Sequence, residues 1–123
     1  MNLITITAGE VSLEAELFDS ETALKIYDAL PIEGRAVIWG DEIYFEIPVT
    51  ILKEENARTD VEVGELGYWP VGHAFCIFFG PTPISKDEKP QAASPVNVFG
   101  RIKGDALRFK SVTQGTLVRI EAV

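Results

Sequence analysis

Few side chains in this 123-residue sequence are equipped for covalent or acid–base chemistry. One histidine, His73, could serve as a general acid or base, because its charge changes near neutral pH. No partner stands at a recognisable spacing from it. One cysteine, Cys76, sits inside Ala74-Phe75-Cys76-Ile77-Phe78-Phe79, where apolar surroundings make a thiol inert packing rather than a nucleophile. A single Cys and a single His supply neither a disulfide nor a four-ligand zinc site, so no metal and no cofactor is expected. The ten glycines are scattered and build no GxGxxG or GxxxxGK phosphate loop, and no GxSxG elbow occurs. The acidic residues fall on turns and outer strand faces and read as solvated surface.

The aromatic residues carry more information. Trp39, Tyr44, Tyr68 and Trp69 fall near strand ends or on the second face of a hairpin, not on the obvious core face. Beside prolines, such a cluster can form a groove for a peptide or a small apolar ligand, with the rings as platform and His73 as polar contact. Cover by a helix or the long loop, or contact with a second subunit in a homo-oligomer, accounts for the same residues.

Charge and composition narrow the partners. With 19 Asp and Glu against 11 Lys and Arg, the net charge of −8 argues against nucleic acid and anionic membranes. No stretch approaches the roughly 18 apolar residues of a membrane span, and no apolar run follows a basic start. The expectation is a single domain over residues 1–123 in the cytoplasm, a reducing compartment.

The elements that must position the aromatics are mostly strands. Ile4, Ile6 and Ala8 alternate with Thr5 and Thr7, and Val11 to Leu17 alternates likewise across a Gly9 turn, which makes a hairpin. Asp19-Ser20 starts a helix over about residues 20–30, which Pro31 stops. Arg35 to Ile47 folds back at Gly40-Asp41, where Gly at the first central position suits a type II′ turn. Pairing outward sets Trp39 opposite Glu42, Ile38 opposite Ile43, Val37 opposite Tyr44 and Ala36 opposite Phe45, with an Arg35–Glu46 ion pair beyond. Strands follow at Val49 to Leu52 and near Val61 to Val63. The unbroken apolar run Ala74 to Phe79 reads as a strand buried on both faces. A proline-rich loop spans 81–97, a strand runs from Val96 to Ile102, a short helix or strand occupies 106–112, and Thr116 to Val123 closes a mainly β, barrel-like fold.

The order of pieces resembles cyclophilin. GEVSLEAELFDSETALKIYDALP (Gly9 to Pro31) is similar to its opening hairpin strand and covering helix, GHAFCIF (Gly72 to Phe78) to its central strand, and VFGRI (Val98 to Ile102) to the strand after its long loop. The whole chain resembles the short prokaryotic cyclophilin-like proteins, a family of unknown function, through WGDEIYFEIPV (39–49), VEVGELGYWPVGHAFCIFFGPTPIS (61–85) and PVNVFGRI (95–102). The resemblance implies a small closed β-barrel of about eight strands capped by one or two short helices. It also implies peptidyl-prolyl isomerase chemistry, but the isomerase residues are replaced. The catalytic Arg position falls near Val37 and the Gln near Tyr44 or Phe45. The central strand carries Ala74 and Cys76, a pocket His position is Val96, and no Trp stands between Pro81 and Pro95. Arg35, two residues off, is the weak candidate for the missing cation. A non-catalytic binding module is therefore expected, with a divergent isomerase as the alternative.

Overall fold

Period-two alternation at the amino end builds the first hairpin. Leu3–Ala8 (β1) and Val11–Leu17 (β2) pair antiparallel, Ile4 with Ala15 and Ile6 with Leu13, so the apolar residues share one face. The computed structural model describes residues 2–123. After β2 come a helix at Glu21–Asp28 (α1) and strands at Ile32–Arg35 (β3), Val37–Ile38 (β4), Glu42–Glu46 (β5), Ala57–Asp60 (β6), Glu65–Trp69 (β7), Ala74–Phe78 (β8) and Gln91–Ile102 (β9). A 3-10 turn at Ala106–Ser111 and a last strand, Leu117–Ala122 (β10), complete the order. No helix among the described residues is long and apolar enough to cross a membrane.

The ten strands form one antiparallel sheet in the order β3-β10-β1-β2-β9-β7-β8-β5-β4, with β6 paired to β9. This corrects the expected closed barrel. The path is open, its ends being β3 and β4, and no ladder joins them. The two ends are neighbours in sequence, separated by Ala36 alone. Ala36 N–H donates to Thr116 O, after which Val37 changes partner and pairs with Tyr44. Between β3 and β5 the contact is side-chain packing: a Cβ on Gly34 would lie 2.5 Å from the Phe45 ring.

The same change of partner removes the outer half of the expected hairpin. Val37–Tyr44 and Ile38–Ile43 pair as read from the sequence, but Arg35 stands opposite Leu117 and its guanidinium donates to Gly115 O at 3.5 Å. The Arg35–Glu46 ion pair does not form. Val49 to Leu52 is not a strand, and the return strand lies at Ala57–Asp60, ahead of Val61. Side chains hold this irregular segment instead. The Tyr68 hydroxyl donates to Val49 O at 2.6 Å and accepts from Ile51 N–H at 3.3 Å. Buried Asn97 accepts from Glu55 N–H and donates to Lys53 O and to the Thr22 hydroxyl. Glu55 in turn receives the Glu21 and Thr22 N–H groups at 3.1 and 2.9 Å, beside the Ser20 cap of α1. Its carboxyl is held below the usual range chiefly by the Thr22 N–H.

Strand β8 divides two apolar layers. On one face, Phe75 and Ile77 join the main core with Ile43, Phe45, Leu66, Tyr68 and Phe99. On the other, Ala74, Cys76 and Phe78 meet Val61, Ala92, Val96 and Val98, with Phe18, Tyr44 and Trp69 packed alongside. The unbroken apolar run is buried on both faces, as its composition demands.

Two stability experiments follow from these contacts. Tyr68→Phe should lower the unfolding free energy by about 1–3 kcal/mol, because it strands Val49 O and Ile51 N–H away from water; urea denaturation measures it. Glu55→Ala should cost about 1 kcal/mol near neutral pH. A depressed folded pKa means that this contribution is complete above the ordinary carboxylate value of about 4.3 and is lost as the pH falls through the folded value. The gap between wild type and variant should therefore close in acid. An equal gap at neutral and strongly acid pH would refute the capping role.

Candidate functional site

The tight turn after β4 sets the first wall of the site. Trp39 and Glu42 exchange backbone hydrogen bonds at 2.9 and 3.1 Å across Gly40-Asp41. Gly40 has φ +60°, and Asp41 is not in the left-handed region, which is the type II′ pattern. Opposed residues share a face, so the Trp39 and Glu42 side chains lie together, with Tyr44 one step along the same face. Across the next ladders Tyr44 pairs with Cys76, Cys76 with Gly67, and Ala74 with Trp69. The face therefore continues from Tyr44 through Cys76 to the Trp69 side of β7.

Glycines shape this surface. A Cβ on Gly67 would come 2.7 Å from Val96 Cγ2, so the bare backbone there admits the Val96 side chain. A Cβ on Gly72 would meet the Trp69 ring at 2.8 Å, so the indole rests on backbone. Its Nε1–H donates to Ser94 Oγ at 2.6 Å, and Tyr44 meets it edge-on, centroids 5.9 Å apart at 81°. The first residues of β9, Ala92 to Ser94, complete a cavity of about 260 Å³ whose walls include Trp39, Tyr44, Trp69, Cys76 and Val96, with Glu42 among them.

Glu42 is the unexpected member. It is 6% exposed, and no ion pair among the described residues includes it. Burial pushes its carboxyl up to about 7, against a smaller opposite pull from the Cys76 thiol. Burial, followed by the charge of Glu42, raises Cys76 well above the ordinary thiol value. A thiol so raised stays protonated and is no nucleophile at neutral pH, in keeping with a packing role. Sequence reading placed the acidic residues on solvated surface, and Glu42 departs from that. The legible signal was the hairpin register, which already set Glu42 opposite Trp39 on the Tyr44 face.

Of the residues read from the sequence as a ligand platform, the structure brings Trp39, Tyr44 and Trp69 together at this cavity. Tyr68 is elsewhere. Neighbours on a strand point to opposite faces, so Tyr68 enters the main core, fully buried, while Trp69 faces the cavity. His73 is not at the cavity wall either. It occupies a turn with φ +48°, where its N–H donates to Pro70 O and its carbonyl accepts from Ile47 N–H. Arg35 lies on β3, tied to Gly115. The proline-rich loop is pinned at its neck by the Thr82 hydroxyl on Gln91 O at 2.6 Å and by Asp41 N–H on Pro81 O. Its charged middle, Lys86 to Lys89, borders a separate polar hollow with Thr59 to Glu62. No group of three or more His, Cys, Asp or Glu among the described residues is placed to hold a metal ion.

Comparison with known proteins agrees with this architecture. The solution structure of the hypothetical protein AF2241 from Archaeoglobus fulgidus is 44% identical, with a TM-score of 0.83 over 99% of this chain and 95% of that one. McbB, solved in complex with tryptophan, is 19% identical with a TM-score of 0.66; the match covers 96% of this chain and 44% of McbB, and is a likeness of fold alone. No curated protein matches the chain in sequence. A family model described as Cyclophilin-like matches residues 2–121. With that model spanning nearly all of the chain and an archaeal relative alike in sequence and fold, the chain belongs to the cyclophilin-like family.

Proposed function

We propose that this protein is a non-catalytic binding module that takes a small apolar ligand, or one apolar side chain of a peptide, between Trp39, Tyr44 and Trp69. One observation carries the reading: three aromatic side chains from separate strands and a turn converge on a cavity instead of filling it. The volume of about 260 Å³ lies just under the range of drug-sized sites, which suits a side-chain-sized group better than a whole extended peptide. Half-buried rings supply a large contact area with little rotamer entropy to lose.

The isomerase alternative lacks its cation. Stabilising a twisted prolyl amide relies on a preorganised donor at the carbonyl, worth a few kcal/mol. Arg35, the only candidate read from the sequence, reaches Gly115 O at 3.5 Å in the turn before β10 and does not line the cavity.

Both tryptophans of the chain line the cavity, so intrinsic fluorescence reports on it directly. A screen of small apolar amines, alcohols and acids should yield fluorescence changes whose NMR shifts cluster on Trp39, Tyr44 and Trp69. Trp39→Ala should weaken such hits about tenfold or more. Hits scattered over other surfaces would sink the proposal. Light scattering provides a control: a dimer in the wild type that dissociates in Trp39→Ala would assign the aromatic face to a second copy instead. In a protease-coupled proline-peptide assay, wild type and Arg35→Ala should both run at the uncatalysed rate, and cyclophilin-like turnover would restore the isomerase reading.

A further inference from the structure

The polar content of the cavity wall selects among ligands. Glu42 is more than nine-tenths buried, borders the cavity, and has no ion-pair partner among the described residues. The neighbouring Asp41 is already balanced by Lys110 at 3.5 Å. The other charged side chains that form ion pairs do so with one another: Arg58 and Arg101 with Glu65, Lys89 with Glu62, and Arg119 with Glu33 and Glu121. The cavity thus presents an uncompensated acid among aromatic rings, an arrangement that repels anions.

A cation suits it on two counts. Aromatic rings attract positive charge through their quadrupoles, and a desolvated carboxylate gains from a counter-ion. Hydrogen-bonding capacity then decides which cation. A primary ammonium brings three donors that each need an acceptor. The wall offers few: besides the Glu42 carboxylate itself, the side-chain acceptors are the Tyr44 hydroxyl and Ser94 Oγ, which already receives the Trp69 N–H at 2.6 Å, while Ala92, Ala93 and Val96 have none. An alkylated ammonium has few or no N–H groups to satisfy, and its methyl groups pack on rings.

We propose, building on the binding-module reading, that the cavity takes an alkylated ammonium group, with Trp39, Tyr44 and Trp69 as its cage and the Glu42 carboxylate as its counter-ion. The group could be carried by a free quaternary amine or by a methylated lysine of a peptide, and the chemistry that recognises it is the same.

Protonation of Glu42 must then compete with binding. In the empty cavity its carboxyl titrates at about 7, so a bound cation should lower that midpoint and release a proton. Affinity should rise with pH across neutrality. The groups that face Glu42 leave this dependence to Glu42 itself: the Cys76 thiol on β8 is pushed up by burial and stays protonated in that range, Asp41 is paired with Lys110, and Ala92 to Val96 on β9 contribute no titratable side chain.

The test compares choline with its uncharged carbon isostere, 3,3-dimethylbutan-1-ol, by tryptophan fluorescence and NMR on the whole chain. Choline should bind at least about tenfold more tightly at about pH 8, and its advantage should shrink by about tenfold at about pH 5.5, where Glu42 is protonated. Glu42→Gln should remove the pH dependence and cut choline's advantage over the isostere to the smaller part that the rings alone supply. A trimethyl-lysine peptide run beside choline distinguishes the sources: tighter binding of the peptide favours a methylated lysine, and tighter binding of choline a free quaternary amine. Equal binding of choline and isostere by the wild type overturns the cation assignment and leaves the binding module standing. If neither compound perturbs Trp39 or Trp69, the cation assignment falls, and the failure of the wider fragment screen as well would remove the binding module with it.

Discussion

Everything else in this fold is arranged around the burial of β8. Ala74, Phe75, Cys76, Ile77 and Phe78 are all buried, so the strand needs a hydrogen-bonded neighbour on each side and an apolar layer on each face. Strands β5 and β7 supply the neighbours. Phe75 and Ile77 supply one layer, closed by the stacked Phe45 ring and the Phe99 edge. The other layer is thinner at Ala74 and Cys76, whose side chains are small, while Val96 and Phe78 fill the space over Gly67. That shortage of volume on one face is the physical origin of the cavity. The rings of Trp39, Tyr44 and Trp69 stand around it but do not fill it.

Where backbone pairing stops, buried polar side chains take over. Between β5 and β6 the chain runs without ladder partners, yet the described residues include no buried side-chain N or O atom left unsatisfied. Tyr68, Asn97 and Glu55 provide the bonds that a strand would have made. Glu65, nearly fully buried, does the same further on. It accepts two bonds from the Arg58 guanidinium at 3.2 and 2.9 Å and one from the Glu62 N–H at 2.7 Å. A bidentate pair of this kind fixes geometry as well as charge, and here it ties β6 to the edge of β7. Glu42, by contrast, has burial without a cation. Two buried glutamates on neighbouring parts of one sheet therefore differ in role: one is structurally neutralised, the other is left to titrate.

The hairpin register around Gly40-Asp41 was legible because a two-residue turn leaves no freedom in pairing. It places Trp39, Tyr44 and Glu42 on one face from sequence alone. The burial of Glu42 is not legible there, since a glutamate beside a turn is ordinarily solvated, and here it is 6% exposed. Tyr68 and Trp69 show the opposite failure. Adjacent on one strand, they point to opposite faces, an alternation that is itself a property of the sequence. The open path of the sheet was beyond local patterning altogether. It depends on which segments far apart in sequence pair, β3 with β10 and β2 with β9.

What the sequence by itself determined was local: alternating strands, the Ser20 cap, the glycine turn, the doubly buried apolar run, and family membership through segments spread along the chain. These rest on dihedral preference and on burial of one residue against the next. The tertiary structure decided which faces met. It sent Tyr68 into the core, tied Arg35 to Gly115, split the expected hairpin at Ala36 and enclosed Glu42 among aromatic rings. Those outcomes depend on distances between elements far apart in sequence, where packing volume and desolvation, rather than propensity, set the result.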